Sequence, residues 1–215
     1  MVTRTPTPDP GRGPAELPDR IAIRDATRMR AVAHPARLTI LSYLAAHGPA
    51  TATECARVCG LSPSATSYHL RALAKAGMIE EAPSRGDGRE RLWQSLAKSW
   101  QVDQETFESV DDPELNAAGL ALIDSVLVWQ DARTRDYVAR MDEGPEEWRR
   151  KAYISETTML VTPEELEGLG RQVDGLLRSY NPIERKDAPP GARRVTAILR
   201  AFPSADPLTG EDVKE

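Results

Sequence analysis

The sequence predicts a mainly α chain with small β elements, an α+β class, and three stretches carry that prediction. TATECARVCGLSPSATSYHLRALAKAG (51–77) reads as a helix, a tight turn and a second helix. The residues after Gly77 run MIEEAP, SRGDGR and ERLWQSL, two extended segments around a loop with two glycines and two arginines. Glu114 to Met141 holds no proline and keeps apolar residues at helical spacing. A β-hairpin with a cationic tip placed directly after a helix pair describes a winged helix-turn-helix. A long helix and a C-terminal β-α-β unit complete the expected architecture.

Each element has a local cause. The opening MVTRTPTPDPGRGPAELP has five prolines and no apolar run, so residues 1–19 are expected to be a flexible arm and not a signal peptide. Residues 20–98 hold the winged helix-turn-helix. Its turn is set by Gly60, which tolerates the positive φ of a sharp helix exit, with Leu61 expected to tuck back under the first helix. Ser62 then offers a side-chain oxygen as N-cap and Pro63 takes the first helical position, where a missing N–H costs nothing. On the second helix Thr66, Leu70 and Leu73 share one face. Ser64, Ser67, Tyr68, Arg71 and Lys75 share the opposite one. Small hydroxyls, one aromatic and two cations can come close to base edges and phosphates, as bulky apolar groups could not. With Ser62 at its start, helix 62–76 is expected to enter a major groove, while the wing at 84–91, through Arg85, Arg89 and Arg91, lies on the backbone.

Charge agrees with that placement. Residues 20–98 carry 12 Lys+Arg against 6 Asp+Glu, a balance of +6, while the whole chain is −5 and the remainder therefore −11. A double-stranded DNA partner meets the local field, not the net charge.

These residues resemble a family. AVAHPARLTILSYL, followed by the helix pair and a basic wing, is similar to the ArsR/SmtB group of bacterial winged-helix repressors over roughly residues 25–97. His34-Pro35, Arg37 and the stripe Leu38-Ile40-Leu41-Leu44 resemble the start of that family's second helix, and Ser67-Tyr68-His69-Leu70 its recognition core. The resemblance implies a homodimer on a two-fold operator, released or recruited by an effector. The family's metal-sensing members place a Cys-x-Cys pair where this chain has Thr51 and Thr53, and others use histidine on a long helix that here has none. No recognisable metal site or cofactor is expected. Cys55 and Cys59 lie four apart on the inward helix face and read as small buried hydrophobes. His69 reads as a hydrogen-bonded core histidine.

The region 99–202 begins with a linker, LAKSWQVDQETFESVDDP (96–113), and then the long helix, about 42 Å if unbroken. Leu115, Leu122, Val126 and Trp129 make one apolar stripe and Leu120, Ile123, Leu127 and Val128 a second. A helix this apolar must be covered on two sides. The first stripe is the expected dimer interface, with Leu127 and Ile123 close behind on periodicity alone. AYISETTMLV and ARRVTAILRAFP read as strands around a helix opened by the capping box Thr162-Pro163-Glu164-Glu165. Such a unit frames an effector pocket or buttresses the dimer, and the sequence leaves both open. Residues 203–215 read as an acidic tail.

Two cysteines provide no disulfide framework and no run approaches a membrane span, so a cytoplasmic protein without membrane contact is expected. An enzyme is not expected, for there is no phosphate-cradling glycine motif, nucleophile elbow or spaced catalytic set. The reading is a DNA-binding transcriptional regulator, a homodimeric repressor answering an unidentified small-molecule effector. The alternative is a regulator with no such effector, controlled by a protein partner.

Overall fold

A computed structural model describes residue 18 and residues 20–84, 90–97, 99–102, 112–182, 185 and 187–203. The chain divides after Asp131 into two compact units. The first therefore takes in most of the long helix, up to Asp131.

The first unit opens with β1 (Arg20–Ile23), α1 (Ala26–Val32) and α2 (Pro35–His47). The Asp25 side chain accepts the Arg28 amide to cap α1. His34 caps α2 through its ring, ahead of Pro35. The short β2 (Ala50–Thr51) leads into α3 (Ala52–Cys59), whose start is a full capping box between Thr51 and Glu54. Gly60 takes the left-handed conformation (φ 64°) as its C-cap. Then α4 (Pro63–Lys75) starts from Ser62, whose Oγ accepts the Ala65 amide. The turn residues thus act as their chemistry dictates, with one correction: Leu61 is exposed and does not tuck under α3.

Gly77 (φ 66°) turns the chain into β3 (Ile79–Ala82), which pairs antiparallel with β4 (Leu92–Ser95). β2 joins the far edge of β4, giving the sheet order β2-β4-β3. The stretch expected to be a linker contains β5 (Ser99–Val102), which runs parallel to β1, Ile21 opposite Trp100. Around these elements one core forms from Ile23, Met29, Val32, Leu38, Leu41, Leu44, Leu70, Leu73, Met78 and Ile79.

α5 (Pro113–Ala139) is the long helix, started by Asp112, whose carboxylate accepts the amides of Glu114 and Leu115. Arg30 of α1 pairs with Glu114 at 2.6 Å. Here the expected dimer interface is corrected. Leu122 is fully buried in the chain's own core, and Leu115, Val126 and Trp129 pack against that core. The Trp129 indole donates to Thr39 Oγ1 of α2 at 3.0 Å, which ties this stripe to its own subunit. The physical reason is that α2 and α5 both present apolar faces within one chain, and the nearer one wins. Leu120 and Val128, of the second stripe, stay 59% and 57% exposed.

The second unit contains the end of α5, a 3₁₀ turn (Glu146–Trp148) and α6 (Pro163–Arg178) with the expected Thr162–Glu165 capping box. The flanking segments 152–161 and 192–203, expected as strands, form no strand within this chain. Two segments alone cannot cover a sheet face, so β propensity by itself does not make them pair. Among the described residues, no helix is long and apolar enough to cross a membrane.

Candidate nucleic-acid interface

The face presented by α4 follows from its packing. Thr66, Leu70 and Leu73 are fully buried, and Thr66 Oγ1 donates to the Ser62 carbonyl. That fixes the helix about its axis. Ser62, Ser64, Tyr68, Arg71 and Lys75 are consequently exposed, with Ser67 half-buried between them. Ser62 and Ser64 share a hydroxyl hydrogen bond at 3.1 Å, and Ser67 Oγ donates to the Pro63 carbonyl at 2.8 Å. Tyr68 stands 60% exposed.

On the wing, Arg91 is exposed, pairs with Glu81 at 3.2 Å and lies over the Trp93 ring at 5.7 Å. Exposed pairs of this kind contribute little stability, but together they aim the guanidinium. Arg85 and Arg89 lie outside the described residues. Between wing and helix pair lies a cleft of about 220 Å³, bordered by Thr51 and Thr53, by Ser67 and Arg71, and by Arg91 and Trp93. Two cations, three hydroxyls and the Glu90 carboxylate border one concave surface.

Behind α4 sits a group that sequence reasoning only half found. Arg37 donates from Nη1 to the Ala31 carbonyl at 2.7 Å and from Nε to His69 Nδ1 at 3.4 Å. Its guanidinium also lies 6.0 Å from the Tyr68 ring centre. The His34 and His69 rings are 4.6 Å apart, and His34 Nδ1 accepts the Ala36 amide. Both histidines are held below the ordinary imidazole range, first by desolvation and then by neighbouring charge, from Arg37 in each case and for His69 also from His34. His69 therefore braces α4 against α2, as its reading as a hydrogen-bonded histidine requires. Arg37 follows the Pro that starts α2 by two residues; that spacing was visible, but its reach to α4 was not.

Cys55 is fully buried and its thiol is pushed up to about 12, mainly by desolvation, then by Cys59 and Glu54. Burial raises Cys59 too, and its Sγ donates to the Ala36 carbonyl at 3.6 Å. Thiols held in the protonated form are poor nucleophiles and poor metal ligands at neutral pH, as core packing implies. Among the described residues no three His, Cys, Asp or Glu side chains converge in a way that could hold a metal ion.

Comparison with known proteins agrees with this geometry. A family described as Helix-turn-helix domain matches residues 32–82. The HTH-type transcriptional regulator YgaV of Escherichia coli (strain K12) is 42% identical over 55 residues, 26% of this chain and 56% of YgaV. The HTH-type transcriptional regulator NmtR of Mycobacterium tuberculosis (strain ATCC 25618 / H37Rv) is 37% identical over 68 residues, 32% of this chain and 56% of NmtR. The chain thus spans little more than half the length of these relatives. The solved structure of YusO from Bacillus subtilis aligns over 71% of this chain and 80% of its own at 17% identity, with a TM-score of 0.30, too low to bear on function. The segment built by α1 to β4 has the helix pair and β3–β4 hairpin of a winged helix-turn-helix, and residues 32–82 within it match the helix-turn-helix family.

Proposed function

We propose that this chain is a sequence-specific transcriptional regulator that binds operator DNA as a homodimer and represses. Helix 62–76 lies in the major groove and the wing at 84–91 on the sugar-phosphate backbone. One observation carries the reading: a helix locked by its buried face turns Ser64, Tyr68, Arg71 and Lys75 to solvent beside Arg91 of the wing. Base edges require short polar groups and phosphates require cations, and this surface offers both. The outer stripe of α5, Leu120, Leu127 and Val128, is the interface between copies, since the inner stripe is already used.

Control by a partner protein is the second reading. It is favoured over a small-molecule effector because no side chain described between residues 132 and 203 is buried, so that unit supplies little wall for a ligand pocket.

An anisotropy titration tests the main reading. Arg71→Ala should weaken binding to the preferred duplex by about 1–3 kcal/mol if the side chain reads a base. Unchanged affinity at moderate salt would mean that α4 does not face the groove.

A further inference from the structure

The cluster of His34, Arg37 and His69 has donors that the bracing of α4 does not use. His34 Nδ1 accepts the Ala36 amide, and His69 Nδ1 accepts Arg37 Nε–H. An amide and a guanidinium can only donate, so each neutral imidazole must carry its proton on Nε2. Neither Nε2 has a partner among the described residues. Arg37 gives N–H groups to His69 and to the Ala31 carbonyl, keeps others in reserve, and joins no ion pair among the described residues. The neighbouring charges felt by the two rings come from Arg37 and, at His69, from His34, and not from a carboxylate. Three side chains on two helices therefore hold N–H donors and one fixed positive charge without a matching acceptor.

Solvent reaches this cluster. His34 is exposed, and Arg37 and His69 are half-buried. The two imidazole rings stand 4.6 Å apart. Tyr68, on the outward stripe of α4, has its ring 5.6 Å from that of His69 and 6.0 Å from the Arg37 guanidinium. A metal ion does not fit, because it would meet the guanidinium charge and find only two imidazoles, each with a proton on its free nitrogen. An oxyanion does fit, since its several acceptor oxygens can satisfy a guanidinium and separate N–H groups at once. Tyr68 belongs to the surface offered to DNA, so the sugar-phosphate backbone is the nearest source of such a group.

We infer that His34, Arg37 and His69 form a phosphate site on the flank of α4, where Arg37 supplies the charge and the two imidazole Nε2–H groups donate to a phosphate of the DNA backbone. This rests on the DNA-binding reading above and adds to it a contact from α2, a helix outside the helix-turn-helix pair. Arg37 then has two tasks: it holds α4 through His69, and it anchors that helix to the strand beside it.

Titrations of the full chain against duplex over a series of salt concentrations test the site. Each phosphate neutralised by a cation adds about 0.9 to the slope of log affinity against log salt. Arg37→Gln should flatten the slope by about that much on preferred and unrelated duplexes alike, whereas Arg37→Lys, which keeps the charge, should retain it. Weaker binding by Arg37→Gln with an unchanged slope would mean that Arg37 only braces α4; the phosphate site would be overturned and the DNA reading would stand. A wild type that binds no duplex overturns both.

Loss of Arg37 can also loosen the packing of α2 on α4, so the wild type is followed directly by nitrogen–proton correlation spectra of its histidine rings, above the imidazole range of pH. Free protein should show His34 and His69 as Nε2–H tautomers, and added duplex should slow the exchange of both Nε2 protons with water. Nδ1–H tautomers, or exchange that duplex leaves unchanged, would contradict the site. Inorganic phosphate separates the two sources of the anion. Ring shifts that saturate with inorganic phosphate but not with duplex would overturn the backbone assignment and give the site to a free anion.

Discussion

The two units of this chain obey the same patterning rules and reach opposite outcomes. From β1 to the middle of α5, each helix has an apolar face that finds another within the chain, although the outer stripe of α5 stays exposed: α4 closes on the core through Leu70 and Leu73, and α5 through Leu122 and Trp129. In the second unit, α6 has an equally good cap and an amphipathic pattern but no buried residue at all. Local signals make helices in both places; what differs is whether a complementary surface lies in the same chain. Helical stability comes mostly from the packed face and not from the cap, and only the first unit buries such faces fully within the single chain.

The contrast can be broken most forcefully at α5. Val128→Glu should convert the protein to monomer and abolish tight operator binding, because burying the charge or opening the interface costs several kcal/mol. The first unit should stay folded, which far-UV circular dichroism read beside sedimentation would establish. A folded variant that remains dimeric would move the interface elsewhere.

A matched pair of truncations then sharpens it. Leu70→Ala removes a fully buried side chain and should cost about 2–5 kcal/mol in denaturant unfolding. Leu176→Ala, made in the monomeric Val128→Glu background, should change stability by less than about 0.5 kcal/mol, as exposed sites do. Similar losses at both positions would show that the second unit has a core in the monomer after all.

The smallest effect is a pH dependence in the first unit. His34 and His69 have pKa values lowered on folding, so the unfolded chain takes up protons first as pH falls. Their contribution is whole above the ordinary imidazole value near 6.5 and is lost as pH drops through the folded values. Geometry gives the same sign: each Nδ1 accepts an N–H, from Ala36 and from Arg37, and an imidazolium cannot. Both rings are partly solvated, so the loss of Tm between about pH 7.5 and 5.5 is small. His34→Asn with His69→Gln should lose less than wild type over the same range. An equal loss in both proteins would assign the pH dependence to carboxylates alone.

Much of this was legible in the residues. Gly60, Ser62-Pro63, Thr51 with Glu54 and Thr162 with Glu165 are local signals, and each acts through neighbours three or four positions away. The exposure of the Ser64, Tyr68, Arg71 and Lys75 stripe was legible for the same reason, as helical periodicity separates Leu70 from Arg71. What could not be read was set by distant partners. β1 and β5 are four-residue strands that exist only by pairing with each other across the whole winged helix. The two stripes of α5 are equally apolar, and only the position of Thr39 and the α2 face decides which turns inward. The strands expected around α6 had the right composition, yet composition supplies no partner. Arg37 was read as part of a resemblance, whereas its work is to hold His69 and approach Tyr68 from another helix.

The central claim is that two copies of α4 read DNA together. A selection of wild-type protein on a pool of random duplexes tests it most directly. The account predicts an enriched site with two-fold symmetry, its half-sites one helical turn apart, about 34–36 Å centre to centre, or a multiple of that, and loss of the enrichment with Arg71→Ala. Recovery of no preferred sequence, or of a single unsymmetrical half-site bound as tightly as any pair, would contradict it.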